Sequence, residues 1–213
     1  MAASKVRKLQ VRGLSNAAFL DAYAAPGRVG LVGGPSLIEK VIRRAQRRQR
    51  EDGSWSAWGH AFVFQGRRVD GQHWVIESDI DIHRERAQIG VQENRVAKYH
   101  DDEAYPHLAV LDFGVTEDQA RQMLSEGLRL LCDRTQYSLR EVLATYWKLK
   151  KPAARDGKNR LARERAMFCS AFVQHLFLGI GVDFARDVDT KLTTPEDIAQ
   201  TDVPHVAYVR VPG

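Results

Sequence analysis

The order of apolar and polar positions along the chain predicts alternating strands and helices, with no internal repeat and no low-complexity tract. After a polar N-terminal arm over residues 1–26, Gly27 to Gly34 (GRVGLVGG) reads as a short strand closed by a turn. In PSLIEKVIRRAQRRQRED, Ser36 stands three residues before Glu39, a capping-box spacing, and Leu37, Ile38, Val41, Ile42 and Ala45 share one face of the helix it would start. Four segments of β-type composition follow, separated by Gly, Asp or Pro: Gly59 to Gln65, Gln72 to Ser78, Gln88 to Glu93 and His107 to Phe113. Helical spacing then runs over Thr116 to Leu131, Leu139 to Lys150 and Met167 to Gly179, and the basic stretch KLKKPAARDGKNRLARER between the last two reads as an exposed connection. TTPEDIAQ predicts a capped helical turn, and His205 to Val211 a final strand. The expected architecture is α+β, an antiparallel meander packed against helices segregated to one side.

Chemistry enters with MFCSAFVQHLFLG. Phe168, Phe172, Val173, Leu176 and Phe177 form the buried stripe of a helix, which puts Cys169 at or just before its first turn. The positive end of the helix dipole and its free N–H groups favour a thiolate there and can also stabilise a developing oxyanion. The competing reading of Cys169 is a small buried apolar residue. A base is offered by WGHAFVFQ, where His60 opens an apolar strand beside the bare backbone of Gly59, although a histidine at a strand edge also has ordinary structural uses. If the hairpin loop is centred between Arg68 and Val69, Glu77 lies directly across from His60; if Asp70 and Gly71 form a tight two-residue turn, Asp81 does. Glu77 is preferred, because its apolar lead-in keeps it near the core while SDIDIH alternates towards solvent. Cys169, His60 and Glu77 then make a nucleophile, a base and a group that orients the base.

These residues, in this order, resemble the circularly permuted papain-like cysteine hydrolases, the YiiX/YaeF-like branch related to NlpC-type cell-wall amidases and to lecithin–retinol acyltransferase. The resemblance rests on the glycine-led strand, the GHAFVF strand, VIES, GVQ at Gly90 to Gln92, the YSL turn at Tyr137, the FCSAFV helix and TTPEDIAQ. It implies a permuted papain-like fold in which the histidine strand precedes the cysteine helix. It also implies hydrolysis of an amide of a peptide, such as a cell-wall peptide, through an acyl-enzyme, or hydrolysis or transfer of a lipid acyl group at the same site. The chain departs from the family pattern in its opening strand and at Gly59, and both departures alter the walls of a cleft rather than its reactive side chains.

A length of 213 residues suits a single domain, and 44% hydrophobic with 28% charged residues places the chain among globular rather than disordered sequences. No apolar run reaches the ~18 residues a membrane-spanning helix needs, and the N-terminus lacks signal-peptide features, so the expected location is cytoplasmic, or outside the cell by a specialised secretion route. Cys132, in LRLLCDR, is expected to be a buried inert thiol. The other histidines show no zinc-ligand spacing and GLVGG lacks the lysine of a phosphate loop, so neither metal nor cofactor is expected; Asp79, Asp81 and His83 read as a solvated strand face. The net charge of +5 and the basic side chains Lys40, Arg43, Arg44, Arg47 and Arg48 also suit a non-catalytic module contacting an anionic polymer or membrane, without specificity for nucleic acid.

Overall fold

A computed structural model describes residues 6–34, 56–83, 86–133, 169–186, 188, 190 and 193–212, with side chains left undescribed at 80–89. The helices expected over 35–52 and Leu139 to Lys150, the basic connection between 148 and 165, and Tyr137 lie outside the described residues. Seven strands form one mixed sheet: β1 (Arg7–Arg12), β2 (Val29–Gly33), β3 (His60–Arg67), β4 (His73–His83), β5 (Arg86–Arg95), β6 (His107–Asp112) and β7 (Val206–Val211). Their spatial order is β1-β7-β6-β2-β3-β4-β5. The described helices are α1 (Asn16–Tyr23), α2 (Glu117–Cys132), α3 (residues 169–178) and α4 (Pro195–Ala199), with a 3₁₀ turn over Val96–Tyr99. The chain is α+β, as its pattern predicts.

Three expectations need correction. The N-terminal arm is built into the fold: β1 pairs in parallel with β7, so the sheet is mixed rather than antiparallel, and α1 is capped by Ser15. β1 escapes the pattern because it is a short, largely exposed edge strand whose two apolar residues, Leu9 and Val11, stand among basic and polar ones; α1 is only two turns long and is anchored by tertiary contacts. Asn16 donates from its side chain to Asp101 O and Tyr105 O, and its backbone N–H donates to Asp102 Oδ1 at 2.8 Å.

The helices also occupy both faces of the sheet. Val29, Leu31, Ala61, Val63, Ile76, Ala109 and Leu111 pack with Met123 of α2 and with Phe172, Val173, Leu176 and Phe177 of α3. In the alternate positions, Val32, Phe62, Phe64, Val75, Leu108 and Val110 pack with Phe19 and Leu20 of α1 and with Val96 and Tyr99. These strands are buried on both sides, so they carry near-continuous apolar runs that cannot reveal which face a helix takes.

The third correction concerns the hairpin. Arg68 N–H donates to Gln72 O and Gly71 N–H to Arg68 O, closing a three-residue loop with Gly71 at φ 73°. A bulge between Phe64 and Gly66 moves the register once more, so that Val63 pairs with Ile76. Continued to the strand's start, that register sets position 60 opposite 79, neither 77 nor 81. Glu77 is the diagonal neighbour of His60 on the same face, within reach of a long side chain.

Candidate active site

His60 is the first residue of β3, at the margin of the sheet, and Glu77 lies mid-strand in β4 with no exposed surface. His60 Nε2 and Glu77 Oε2 are 2.7 Å apart. Cys169, in the described part of α3, is hydrogen-bonded to the same imidazole. With Nε2 facing Glu77, Nδ1 is the nitrogen left for the sulfur. The three residues singled out in the sequence therefore meet; Cys169 is helical, and the residues before it, which decide whether it opens the helix as expected, lie outside the described residues. Asp81 pairs through its backbone with Gln88 of β5, and its side chain is among those not described.

Glu77 accepts from more than His60. Asn94 Nδ2 donates to Oε1 at 2.7 Å, Lys98 Nζ donates to Oε1 at 2.8 Å, and the Tyr99 hydroxyl donates to Oε2. The Lys98 ammonium also bonds Asp79 Oδ2 at 2.7 Å. A buried carboxylate is tolerable only with such partners. Burial alone would raise the Glu77 pKa, but the hydrogen bond and charge of His60 and the charge of Lys98 outweigh it and hold the group far below the usual carboxylate range. Lys98 behaves reciprocally: burial lowers it, and the charges of Glu77 and Asp79 carry it above the ordinary lysine value. Burial, followed by the neighbouring Glu77 and Asp79 charges, pushes Tyr99 well up, so its hydroxyl keeps its proton and donates. For His60, burial acts to lower the pKa, but the electrostatic influence of the neighbouring Cys169 and Asp79 and the hydrogen bonds to Cys169 and Glu77 prevail and raise it well above the ordinary histidine value.

Asn94, Lys98 and Tyr99 were not visible as site residues in the sequence. They lie in NRVAKY, where β5 ends in a 3₁₀ turn, and no motif marks that turn as the lid over Glu77. Tyr99 is placed by packing, its ring stacked on Phe62 at 4.6 Å between centroids. The ligand atoms of His60, Glu77 and Asp79 lie within 4.8 Å of one another, a spacing that a metal ion could use. Lys98 Nζ supplies positive charge between the two carboxylates and His60 Nε2 is hydrogen-bonded to Glu77, so the side chains of the cluster are already paired with one another.

Cys132, expected to be buried, is exposed, since it ends α2 where the helix leaves the core. The basic side chains from Lys40 to Arg48, on which a binding-only reading would stand, lie outside the described residues. No helix among the described residues is long and apolar enough to cross a membrane. No family model matches the chain, and no curated protein matches it significantly.

Proposed function

We propose that this chain is a cysteine-nucleophile hydrolase of the permuted papain-like kind, cleaving an amide or ester through an acyl-enzyme. The observation that carries the reading is the continuous hydrogen-bonded line from Cys169 through His60 to Glu77. Glu77, ionised and accepting at Oε2, fixes Nε2–H as a donor and turns Nδ1 towards the sulfur. Held above its ordinary pKa beside the sulfur, the imidazole carries the proton of Cys169 and leaves a thiolate. The thiolate attacks the carbonyl carbon, forming the C–S bond. Collapse of the tetrahedral intermediate breaks the bond to the leaving nitrogen or oxygen, which takes its proton from His60. Water then attacks the thioester, giving a proton to the neutral imidazole, and release of the acid restores the thiolate and imidazolium. A peptide amide and a lipid acyl ester both suit these steps, and another acceptor in place of water would make the reaction a transfer.

Incubation with peptidoglycan fragments and, separately, with phospholipid or acyl-thioester donors, followed by intact-mass measurement, tests the reading. One acyl group is expected on Cys169, absent in Cys169→Ala, with turnover reduced about 10²–10⁴-fold in His60→Ala. Turnover that survives Cys169→Ala would overturn it.

A further inference from the structure

Glu196 is a buried carboxylate that the reaction above does not use. It lies in α4, 1% exposed, with Ser56 Oγ donating to its Oε2 at 2.5 Å and Gln200 Nε2 donating to its Oε1. Ser56 is itself fully buried and stands at the entrance to the histidine strand, where its Oγ also accepts from Trp58 N–H at 3.0 Å. The opposite side of this entrance is held by β2. Gly59 N–H donates to Val32 O at 2.8 Å, and a Cβ on Gly33 would fall 1.7 Å from Ala57 O, so only a glycine lets the two backbones approach this closely. The residues leading into His60 are therefore clamped between the bare backbone of β2 and a carboxyl oxygen of α4. The same short helix is fastened to the nucleophile's helix. Ser170, next to Cys169 and fully buried, donates from Oγ to Thr193 O at 2.6 Å, one residue before Thr194, which caps α4.

We propose that α4 is the brace that sets the distance between nucleophile and base, with Glu196 acting on His60 through Ser56, and Ser170 holding Cys169 through Thr193. The inference rests on the cysteine-hydrolase reading but concerns positioning residues, none of which touches substrate. An imidazole–thiol hydrogen bond tolerates only a few tenths of an ångström, and its two partners come from segments far apart in the chain, so each needs a directional anchor that apolar packing does not supply. A carboxylate is a costly group to bury, and its oxygens serve here as fixed acceptors for a serine hydroxyl and a glutamine amide.

The test follows the His60 ring by NMR through a pH titration, and the alkylation rate of Cys169 by iodoacetamide, both in a Cys132→Ser background. Ser56→Ala, Glu196→Gln and Ser170→Ala are each expected to remain folded by circular dichroism, to move the His60 midpoint down towards an ordinary histidine, and to slow alkylation about tenfold. Glu196→Gln removes one of the two acceptors. The Ser56→Ala/Glu196→Gln pair should lose no more than the worse single variant, because both cut one arm, and Ser56→Thr should restore the parent behaviour. Ile198→Val, a core change on α4 that leaves both hydrogen-bonded arms of the brace intact, controls for stability: it should lower the melting temperature and leave the His60 midpoint unchanged. If Ser56→Ala does not fold, the remaining two variants decide. Variants that melt earlier with the parent's His60 titration and alkylation rate would overturn the brace, as would an equal response in Ile198→Val. Absence of any acyl adduct together with His60 shifts in the brace variants would defeat the hydrolase reading and leave the brace standing.

Discussion

At the scale of single residues, the site is governed by a carboxylate that is never free. Four donors meet Glu77, and two of them, His60 and Lys98, carry positive charge. A group depressed in this way stabilises the fold fully above the ordinary carboxylate pKa, and the contribution fades as pH falls through the depressed value. His60 has the opposite sign. Its contribution is complete below the ordinary imidazole pKa and is lost as pH rises through the raised value. The Glu77–His60 couple is therefore fully effective between the ordinary carboxylate and ordinary imidazole values. Glu77→Gln removes one anion beside the ring, so the His60 pKa should fall and the alkaline limb of turnover should move to lower pH by about one unit; an unmoved limb would assign that limb to another group. Lys98→Met leaves Glu77 and Asp79 facing each other without their shared cation. Denaturant unfolding should show a loss of about 3–5 kcal/mol.

At the scale of elements, backbone details decide which side chains face one another. The bulge beside Gly66 and the three-residue loop before Gln72 set the β3–β4 register, and with it the diagonal that joins His60 to Glu77. Close approach of elements depends on glycines at two further points. A Cβ on Gly30 would lie 2.1 Å from the Phe62 ring, and one on Gly127 of α2 would lie 2.9 Å from Ile76 Cδ1, next to Glu77. Gly30→Ala should push Phe62 off its stack with Tyr99 and cost about 1–3 kcal/mol by thermal melting, with the tyrosine's ultraviolet signal changing as well. The start of α2 is a capping box of Thr116 and Gln119, with Glu117 and Asp118 in the first turn. Thr116→Ala should cost about 1 kcal/mol without altering the site. That helix was readable from its sequence because its cap, charge and apolar stripe all agree.

At the scale of the whole molecule, the sheet sits between two layers, with α2 and α3 on one side and α1 with the 3₁₀ turn on the other. His60 and Glu77 belong by strand parity to the side of Phe62 and Val75, whereas Phe172 and Val173 of the cysteine helix pack on the other. The two sets of groups meet at the strand's first residue. Cys169 keeps only 2% of its surface exposed, and the His60 side chain 12%. The proposed hydrolase reading therefore requires the surrounding structure to open before a substrate meets the sulfur. Alkylation by iodoacetamide should outpace a bulky maleimide at Cys169, while exposed Cys132 should show no such discrimination; equal size dependence at both thiols would argue against a gated sulfur.

Sequence alone determined what depends on local order. The apolar runs of β2, β3 and β6, the capped helix α2 and the turn TTPEDIAQ were legible because propensity, cap and periodicity act over a few residues. The candidate trio Cys169, His60 and Glu77 was legible as residue types in suggestive settings, and no more than that. Tertiary structure alone decided the parallel pairing of β1 with β7, the placement of helices on both faces, and the register that makes His60–Glu77 a diagonal pair. It also decided that Asn94, Lys98 and Tyr99 close over Glu77. The physical reason is the same in each case: a strand buried on both faces carries no mark of which layer covers it, one extra residue in a bulge redirects every later pairing, and a buried charge finds its partners through space rather than along the chain.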